Sequence, residues 1–378
     1  MSAKRVLKVG LIGYGFMGRA HSNAWRQAPC FFDLPAEIEL RSICGRDSRG
    51  VRTAAAKLGW RNSCTDWREM VADPDIDIVD ICTPNDSHCE IATATAKAGK
   101  AILCEKPLAR NCSEAKQMVA VVKKARVANM VCHNYRRVPA IALAKEMVDR
   151  GEIGDRIFHF RARYSQDWIV GPDFPLIWRL QSEKAGSGAL GDIFSHIVDL
   201  GRYLIGEINE VCALAETFVK ERPASRGRRR APVTVDDAVT MIGRFANGAI
   251  ASIGATRFAP GRKNALVFEI NGNGGSLAFD LEDLNRLRFF SRTGPADRRG
   301  FRDILVTEPE HVYIKSWWPP GHTIGWEHSF THTVADFVQA LVKRRKIEPS
   351  FADAFKTQQV LDAVRRSADL RRWVGVRG

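Results

Sequence analysis

Apolar positions follow two different rhythms along this chain. Over residues 1–135, short apolar runs alternate with stretches of helical period. The run Val6-Leu7-Lys8-Val9-Gly10-Leu11-Ile12 reads as a buried strand, as do residues 38–44, 76–82 and 101–104, and a further strand begins at Met130. Between them, residues 19–28, 47–58, 87–98 and 113–125 read as helices. Gly59 and Gly99 supply C-terminal stops. Ser113, Glu114 and Lys116 make an imperfect capping box for the last helix, with the acid one residue early. Strand and helix in alternation predict a doubly wound α/β domain, a parallel sheet with helices on both faces.

The rhythm changes after about residue 150. Residues 157–164, 239–245, 249–258 and 265–271 read as longer strands, and Gly248, Gly261 and Gly272-Asn273-Gly274-Gly275 mark turns between them. Residues 189–204 read as one helix, and two more helices, 329–343 and 352–373, close the chain. This pattern predicts an α+β domain over residues 136–378, built on a large, mainly antiparallel open sheet. Its C-terminal helix is expected to be free to pack back on the first domain. No internal repeat is visible.

Composition narrows the class. At 378 residues, 45% hydrophobic and 26% charged, the chain suits a soluble protein of two domains. No apolar run is long enough to span a bilayer. The basic start Met1-Ser2-Ala3-Lys4-Arg5 is followed by an apolar run that ends in a glycine turn rather than a cleavage site, which reads as a cytoplasmic protein. The nine cysteines form no C-x-x-C pair and no zinc spacing, so they read as reduced thiols in the core, and no metal site is expected. The net charge of +14 is scattered, with clusters at 222–230, 343–346 and 371–372. A solvated loop and two helix C-termini account for these clusters, and no nucleic-acid motif accompanies them.

The chemistry begins at Gly13-Tyr14-Gly15-Phe16-Met17-Gly18, a G-x-G-x-x-G turn between the first strand and the first helix. In that setting Gly13 permits the tight turn, Gly15 lets the backbone approach a pyrophosphate, and Gly18 lets the helix pack closely on the strand. After the second strand the chain reads Cys44-Gly45-Arg46-Asp47-Ser48-Arg49. Gly45 stands where an NAD enzyme carries an acid for the ribose 2′-hydroxyl, and Arg46 can meet a 2′-phosphate. The expected cofactor is therefore NAD(P), with NADP or dual use favoured; Asp47 takes the NAD role if the strand runs longer. Lys106 follows the fourth strand directly, at the end of the sheet where open α/β folds bind ligands, or else is a surface lysine. Asp192 and His196 are four apart on one helix face. A histidine there suits removal of a hydroxyl proton, and the alternative is a structural helix contact.

Taken in order, residues 13–18, Thr83-Pro84-Asn85-Asp86-Ser87-His88, Glu105-Lys106-Pro107 and Gly191-Asp192 with His196 resemble the motif set of the glucose–fructose oxidoreductase / inositol dehydrogenase (Gfo/Idh/MocA) family. Asn134-Tyr135-Arg136-Arg137, Gln166-Asp167-Trp168, Trp178-Arg179 and Arg298-Arg299-Gly300-Phe301-Arg302 extend the resemblance over essentially the whole chain. Within the family the chain looks most like members acting on the anhydrosugar levoglucosan and on inositol. The resemblance implies a Rossmann domain and hydride transfer between nicotinamide and a ring carbinol of a sugar, anhydrosugar or cyclitol. It implies Lys106, Asp192 and His196 as catalytic residues, with His196 the general base and the other two holding the hydroxyl. Thr83, Pro84, Asn85, His88 and Glu105 match positions lining the nicotinamide half of the cofactor, and Trp178 and Arg179 match a pair near its ring. Tyr135, Gln166 and Trp168 match positions facing the sugar. A homodimer or homotetramer is implied, with a small polyol or sugar as partner and neither nucleic acid nor membrane. The run Trp317-Trp318-Pro319-Pro320, with Trp326, either walls the pocket or packs a core. The alternatives are a keto-sugar reductase working in reverse and a non-catalytic NAD(P)-binding regulatory protein on the same fold.

Overall fold

The computed structural model describes residues 4–224 and 229–376. Two compact units divide the chain: Met1–Arg137 with Gly325–Phe355, and Val138–Ile324 with Lys356–Gly378. The first unit contains β1 (Arg5–Ile12), α1 (Phe16–Phe31), β2 (Ala36–Cys44), α2 (Ser48–Leu58), β3 (Asn62–Cys64) and α3 (Trp67–Ala72). It continues through β4 (Ile78–Ile81), α4 (His88–Lys97), β5 (Ala101–Cys104), α5 (Cys112–Ala125) and β6 (Asn129–Val131). The second unit opens with α6 (Pro139–Asp149), β7 (Ile157–Ser165), α7 (Ser182–Ala185), α8 (Ser195–Leu204) and β8 (Ile208–Glu216). It goes on through β9 (Glu221–Pro223), β10 (Arg230–Pro232), β11 (Ala238–Phe245), β12 (Ile250–Thr256) and β13 (Ala265–Gly272). Its remaining strands are β14 (Gly275–Asp280), β15 (Arg286–Ser291) and β16 (Arg302–Leu305). Then α9 (His328–Val342) returns to the first unit, α10 (Phe351–Leu370) crosses the division, and β17 (Val374–Gly375) ends the chain.

In the first unit six parallel strands lie in the order β3-β2-β1-β4-β5-β6. The strand order reverses between β1 and β4, which opens a ligand crevice at the carboxyl ends of the strands. Both faces are covered, and alternation along each strand shows it. Leu7, Val9 and Leu11 enter one apolar cluster with Trp25 of α1 and Phe337 of α9, while Ile12, Val79, Ile81, Ile102 and Cys104 enter a second with Ile91 of α4 and Met118 of α5. Burial on both faces is why these strands read as continuous apolar runs. Two features differ from the sequence reading. The short β3 and α3 carry too few residues to show a period. The cap of α5 is Asn111, not Ser113: its side chain accepts from the Glu114 N–H at 3.0 Å, and the Glu114 carboxylate accepts from the Arg110 N–H at 3.1 Å. Counted from Asn111, the acid stands at the third helical position, where a capping box needs it.

The second unit holds nine strands in the order β16-β15-β14-β13-β7-β12-β11-β8-β17, antiparallel except where β7 and β12 run side by side in parallel. Burial alternates residue by residue along β11 and β12, as a sheet with one solvated face requires. The buried face carries Phe160, Val239, Met241 and Ile253, and α6 and α8 pack against this sheet. The other face keeps Arg161, Arg163, Leu214, Ile242 and Ile250 exposed. The basic stretch at 222–230 departs from the expected solvated loop. Arg222 is fully buried and donates to the carbonyls of Gly171, Phe174 and Ile169. A guanidinium so placed pairs main-chain acceptors that burial would otherwise leave unmatched. Arg226 and Arg228 lie outside the described residues.

Candidate active site

The glycine turn of the first unit is set by contacts that leave no room for larger residues. Gly13 has a left-handed φ of 101°, and a Cβ on it would meet the Cys82 carbonyl oxygen at 2.6 Å. A Cβ on Gly18 would sit 1.9 Å from the Gly13 carbonyl oxygen. Gly15 is different. It is the N-cap of α1, has no side-chain cap of its own, and a Cβ there would meet nothing within 4 Å. Open space over a helix N-terminus is the shape a pyrophosphate needs, so the residues present fit a dinucleotide. Phe16 is exposed and stacks on Trp326 at 5.5 Å, and Met17 packs against the core below.

The segment after β2 shows why Gly45 is glycine. A Cβ at Gly45 would lie 2.0 Å from the Tyr14 ring, and one at Gly50 would lie 2.6 Å from the Tyr14 hydroxyl. Tyr14 therefore occupies the space that side chains at those positions would take. The carboxylate of Asp47 caps α2, accepting from the Gly50 N–H at 2.7 Å, while Arg46 and Arg49 are exposed.

Loops at the carboxyl ends of β4 and β5 carry the next group. Thr83 accepts at its hydroxyl from Ser87, Pro84 leads into a 3₁₀ turn, and Asn85 is buried. His88 is wholly buried, its ring nitrogens 3.1 Å from the Pro107 carbonyl and 3.0 Å from the Thr83 carbonyl. Burial holds its imidazole pKa below the ordinary value. It thus sits between the two loops, and its neutral ring has one N–H to donate to one of these two carbonyls. Glu105 is buried and accepts from the Lys106 N–H at 3.2 Å, while Lys106 itself is partly exposed at the strand end. Tyr135 is buried, and its hydroxyl accepts from the Trp326 indole at 3.3 Å.

The sequence reading missed what stands behind Glu105. His21 of α1 is 1% exposed, with Nδ1 2.9 Å from one Asp80 oxygen and Nε2 2.9 Å from Glu105 Oε1. The Trp25 indole also donates to Asp80, at 2.7 Å. The signal was an aspartate in Ile78-Val79-Asp80-Ile81, a strand buried throughout: a charge there demands a partner.

In the second unit, Asp192 lies in a π-helical turn, Leu190–Phe194, that leads into α8. The expected single helix over 189–204 thus changes pitch at this residue, a feature that π-turns often contribute to functional sites. Asp236 fixes the approach to the turn by accepting from the Gly188 and Leu190 N–H groups, both at 2.7 Å. Asp192 has its Oδ2 3.8 Å from Nη1 of the fully buried Arg257. His196, in the first turn of α8, is 6% exposed and lies 6.0 Å from the Tyr164 ring. Tyr164 and Gln166 both donate to Asn264 Oδ1, and the Trp168 indole donates to Gln166 at 2.8 Å. The chain so joins the predicted Gln166 and Trp168 to the ring beside His196. Trp178 and Arg179 pair with each other, guanidinium over indole at 4.3 Å. Trp317 is buried and Trp318 half exposed, whereas Trp326 packs on Phe330 in the first unit.

Comparison with known proteins gives these residues a family. Residues 7–133 match the model of an oxidoreductase family with an NAD-binding Rossmann fold, and residues 141–278 match the GFO/IDH/MocA C-terminal domain. Among curated proteins, the levoglucosan dehydrogenase of Pseudarthrobacter phenanthrenivorans is 44% identical, over 98% of each chain. An oxidoreductase domain protein from Kribbella flavida is 53% identical, with a TM-score of 0.96 over 99% of this chain and 100% of that one. A levoglucosan dehydrogenase in complex with NADH and levoglucosan is 45% identical, with a TM-score of 0.96 and the same coverage. With its glycine turn, the Glu105-Lys106-Pro107 strand end and its nine-stranded second sheet, this chain belongs to the GFO/IDH/MocA family of oxidoreductases.

Proposed function

We propose that this oxidoreductase removes a hydride from a ring carbinol, of an anhydrosugar of the levoglucosan kind before cyclitols and pyranoses. The observation that carries this reading is 44% identity to a levoglucosan dehydrogenase over 98% of this chain. When bound, the nicotinamide supplies the hydride acceptor. The chain's own residues handle alignment and the proton. The Lys106 ammonium and the Asp192 carboxylate hold the hydroxyl, and His196 takes its proton as the carbon gives up hydride. Imidazole suits this because it titrates near neutral pH. In the reductive direction the same imidazolium returns the proton. Thr83, Pro84, Asn85, His88, Glu105, Trp178 and Arg179 are assigned to the nicotinamide half, and Tyr135, Gln166 and Trp168 to the sugar. The test is turnover of levoglucosan, inositols and pyranoses by wild type, Lys106→Ala and His196→Ala. Activity in the wild type and its loss in both variants is the expected result. Tight dinucleotide binding with no turnover of any substrate would favour the regulatory alternative.

The finer choice of dinucleotide rests on residues 45–49. Gly45 offers no acid, the Asp47 carboxylate is engaged in capping α2, and Arg46 and Arg49 are exposed. The similar levoglucosan dehydrogenase holds NADH. Acceptance of both dinucleotides fits these observations, with Arg46 meeting the 2′-phosphate. In Arg46→Ala the ratio of kcat/KM for NADP to that for NAD falls about tenfold, as a lost charged hydrogen bond predicts; an unchanged ratio would refute the role.

The outer face of the second sheet, with Leu214 72%, Ile242 48% and Ile250 46% exposed, supports self-association as a homodimer or homotetramer. Light scattering at micromolar protein should give a multiple of the 42.2 kDa chain mass, and a monomer would overturn this assignment. Among the described residues no helix is long and apolar enough to cross a membrane.

A further inference from the structure

Behind the candidate lysine lies a buried charge network that the proposed chemistry does not use. His21 sits on α1, the helix that starts at the glycine turn, and faces a carboxylate at each ring nitrogen. Asp80 and Cys82 approach it from β4 and its outlet, Glu105 and Cys132 from the ends of β5 and β6, and the Phe330 ring from α9 at 5.4 Å. The spacing is that of a metal triad, but both ring nitrogens are already engaged by carboxylates. A neutral imidazole donates one hydrogen bond and accepts at its other nitrogen. Two ionised carboxylates both need donors, so the bridge is complete only with an imidazolium. The electrostatics agree. Burial, the largest single influence, opposes the His21 charge, but the charge and hydrogen bond of Asp80 together with Cys82 and Cys132 outweigh it, and the pKa stands well above its ordinary value. Burial pushes the Glu105 carboxyl up, but the bond and charge of His21, with smaller help from Lys106 and His88, bring it below its ordinary value.

Glu105 passes this anchoring on. One carboxylate oxygen is held by His21 at 2.9 Å, and the other accepts from the Lys106 N–H at 3.2 Å. Asp80 in turn is fixed by two donors of α1, His21 and Trp25. The helix that begins at the glycine turn and the backbone of Lys106 are thus linked through two buried side chains, His21 and Glu105, with Asp80 bracing the first. We propose that His21 is a positioning residue, which orients Glu105 and through it the Lys106 backbone, so that the lysine ammonium is aimed at the reacting hydroxyl. This rests on the proposed role of Lys106.

Two variants separate orientation from mere filling of space. In His21→Asn the amide reaches where Nδ1 stands and keeps a donor toward Asp80. In His21→Gln it reaches where Nε2 stands and keeps a donor toward Glu105. Steady-state turnover of levoglucosan should fall about 10- to 100-fold in His21→Asn, the scale of a misplaced reacting group, with NADH affinity within about twofold of wild type. His21→Gln should recover at least about tenfold of that loss. Equal turnover in both variants and wild type, with Lys106→Ala inactive, overturns the His21 assignment alone. Equal losses in both variants, in step with a lowered Tm, overturn it too. Wild-type turnover in Lys106→Ala instead brings down the functional reading and this proposal with it. Should neither His21 variant fold, Asp80→Asn keeps the shape and frees the ring from one charge. Its kcat should then fall about tenfold, and an unchanged kcat overturns the proposal.

Discussion

His196→Ala should lower kcat on the preferred polyol by about 10²–10⁴-fold, the usual worth of a positioned general base. Dinucleotide affinity, read by quenching or enhancement of NADH fluorescence, should stay within about twofold. The division of labour explains this split. The residues that fit the pyrophosphate, Gly13, Gly15 and Gly18, belong to the first unit, whereas His196 opens α8 in the second. Its imidazole is buried against Tyr164, so the loss is one of proton transfer rather than of a surface charge. Lys106→Ala should cost a comparable factor, because in the proposed mechanism the ammonium holds the hydroxyl whose proton His196 removes. The double variant should then fall little below the worse single one, since residues acting on one proton transfer are not additive. Wild-type turnover in either single variant, on a substrate the wild type oxidises, would show that the assigned role is wrong.

Gly18→Ala should lower stability and Gly15→Ala should leave it unchanged, while both weaken dinucleotide binding. At Gly18 the new methyl would stand 1.9 Å from the Gly13 carbonyl oxygen and 2.8 Å from its carbon. These are backbone atoms, and Gly13 is itself pinned by its N–H bond to the Cys44 carbonyl at 2.9 Å. The turn must therefore deform, at about 1–3 kcal/mol for overpacking and more where backbone cannot yield. Both Tm and NADH affinity should drop, the latter by about 100-fold or more, as a displaced binding turn implies. At Gly15 the methyl meets nothing within 4 Å, and φ there is −69°, open to any residue. Tm should hold, while NADH affinity falls at least about tenfold, because the methyl takes the space through which the pyrophosphate approaches the amides. Native affinity in Gly15→Ala would remove the pyrophosphate from that spot. Native Tm in Gly18→Ala would contradict the packing of the turn.

The first unit was legible because its rules are local. Runs buried on both faces are largely apolar, and helices carry their own period and stops, so β1, β4 and β5 could be read one by one, with β2 read from its alternating apolar positions. The three-residue β3 has no period to read. The cap of α5 was misplaced because Ser113 and Asn111 are both good caps in sequence, and only the bond from the Glu114 N–H distinguishes them. In the second unit, Leu287 and Phe289 alternate with Arg286 and Arg288 on β15, but short strands near its edge, such as β16, give a weak signal beside turns and loops. Arg222 looked like a loop cation and is a buried one, since nothing in its neighbours in sequence announces the carbonyls of residues 169–174.

Local demands are written in the order of residues: where strands and helices form, which glycines the dinucleotide turn requires, and which residue types with proton chemistry stand near strand ends and helix starts. These follow from sterics and periodicity within a few residues. Which partners meet those demands is set by the fold. Gly45 read as a missing acid, and the fold shows it also makes room for Tyr14. Asp80 was passed over as part of an apolar strand, and the fold brings it His21 from 59 residues away, with Glu105 on the far side of the ring, 84 residues from His21. A buried charge must be matched, but the match is made through space, by chain segments whose separation in sequence carries no trace of it.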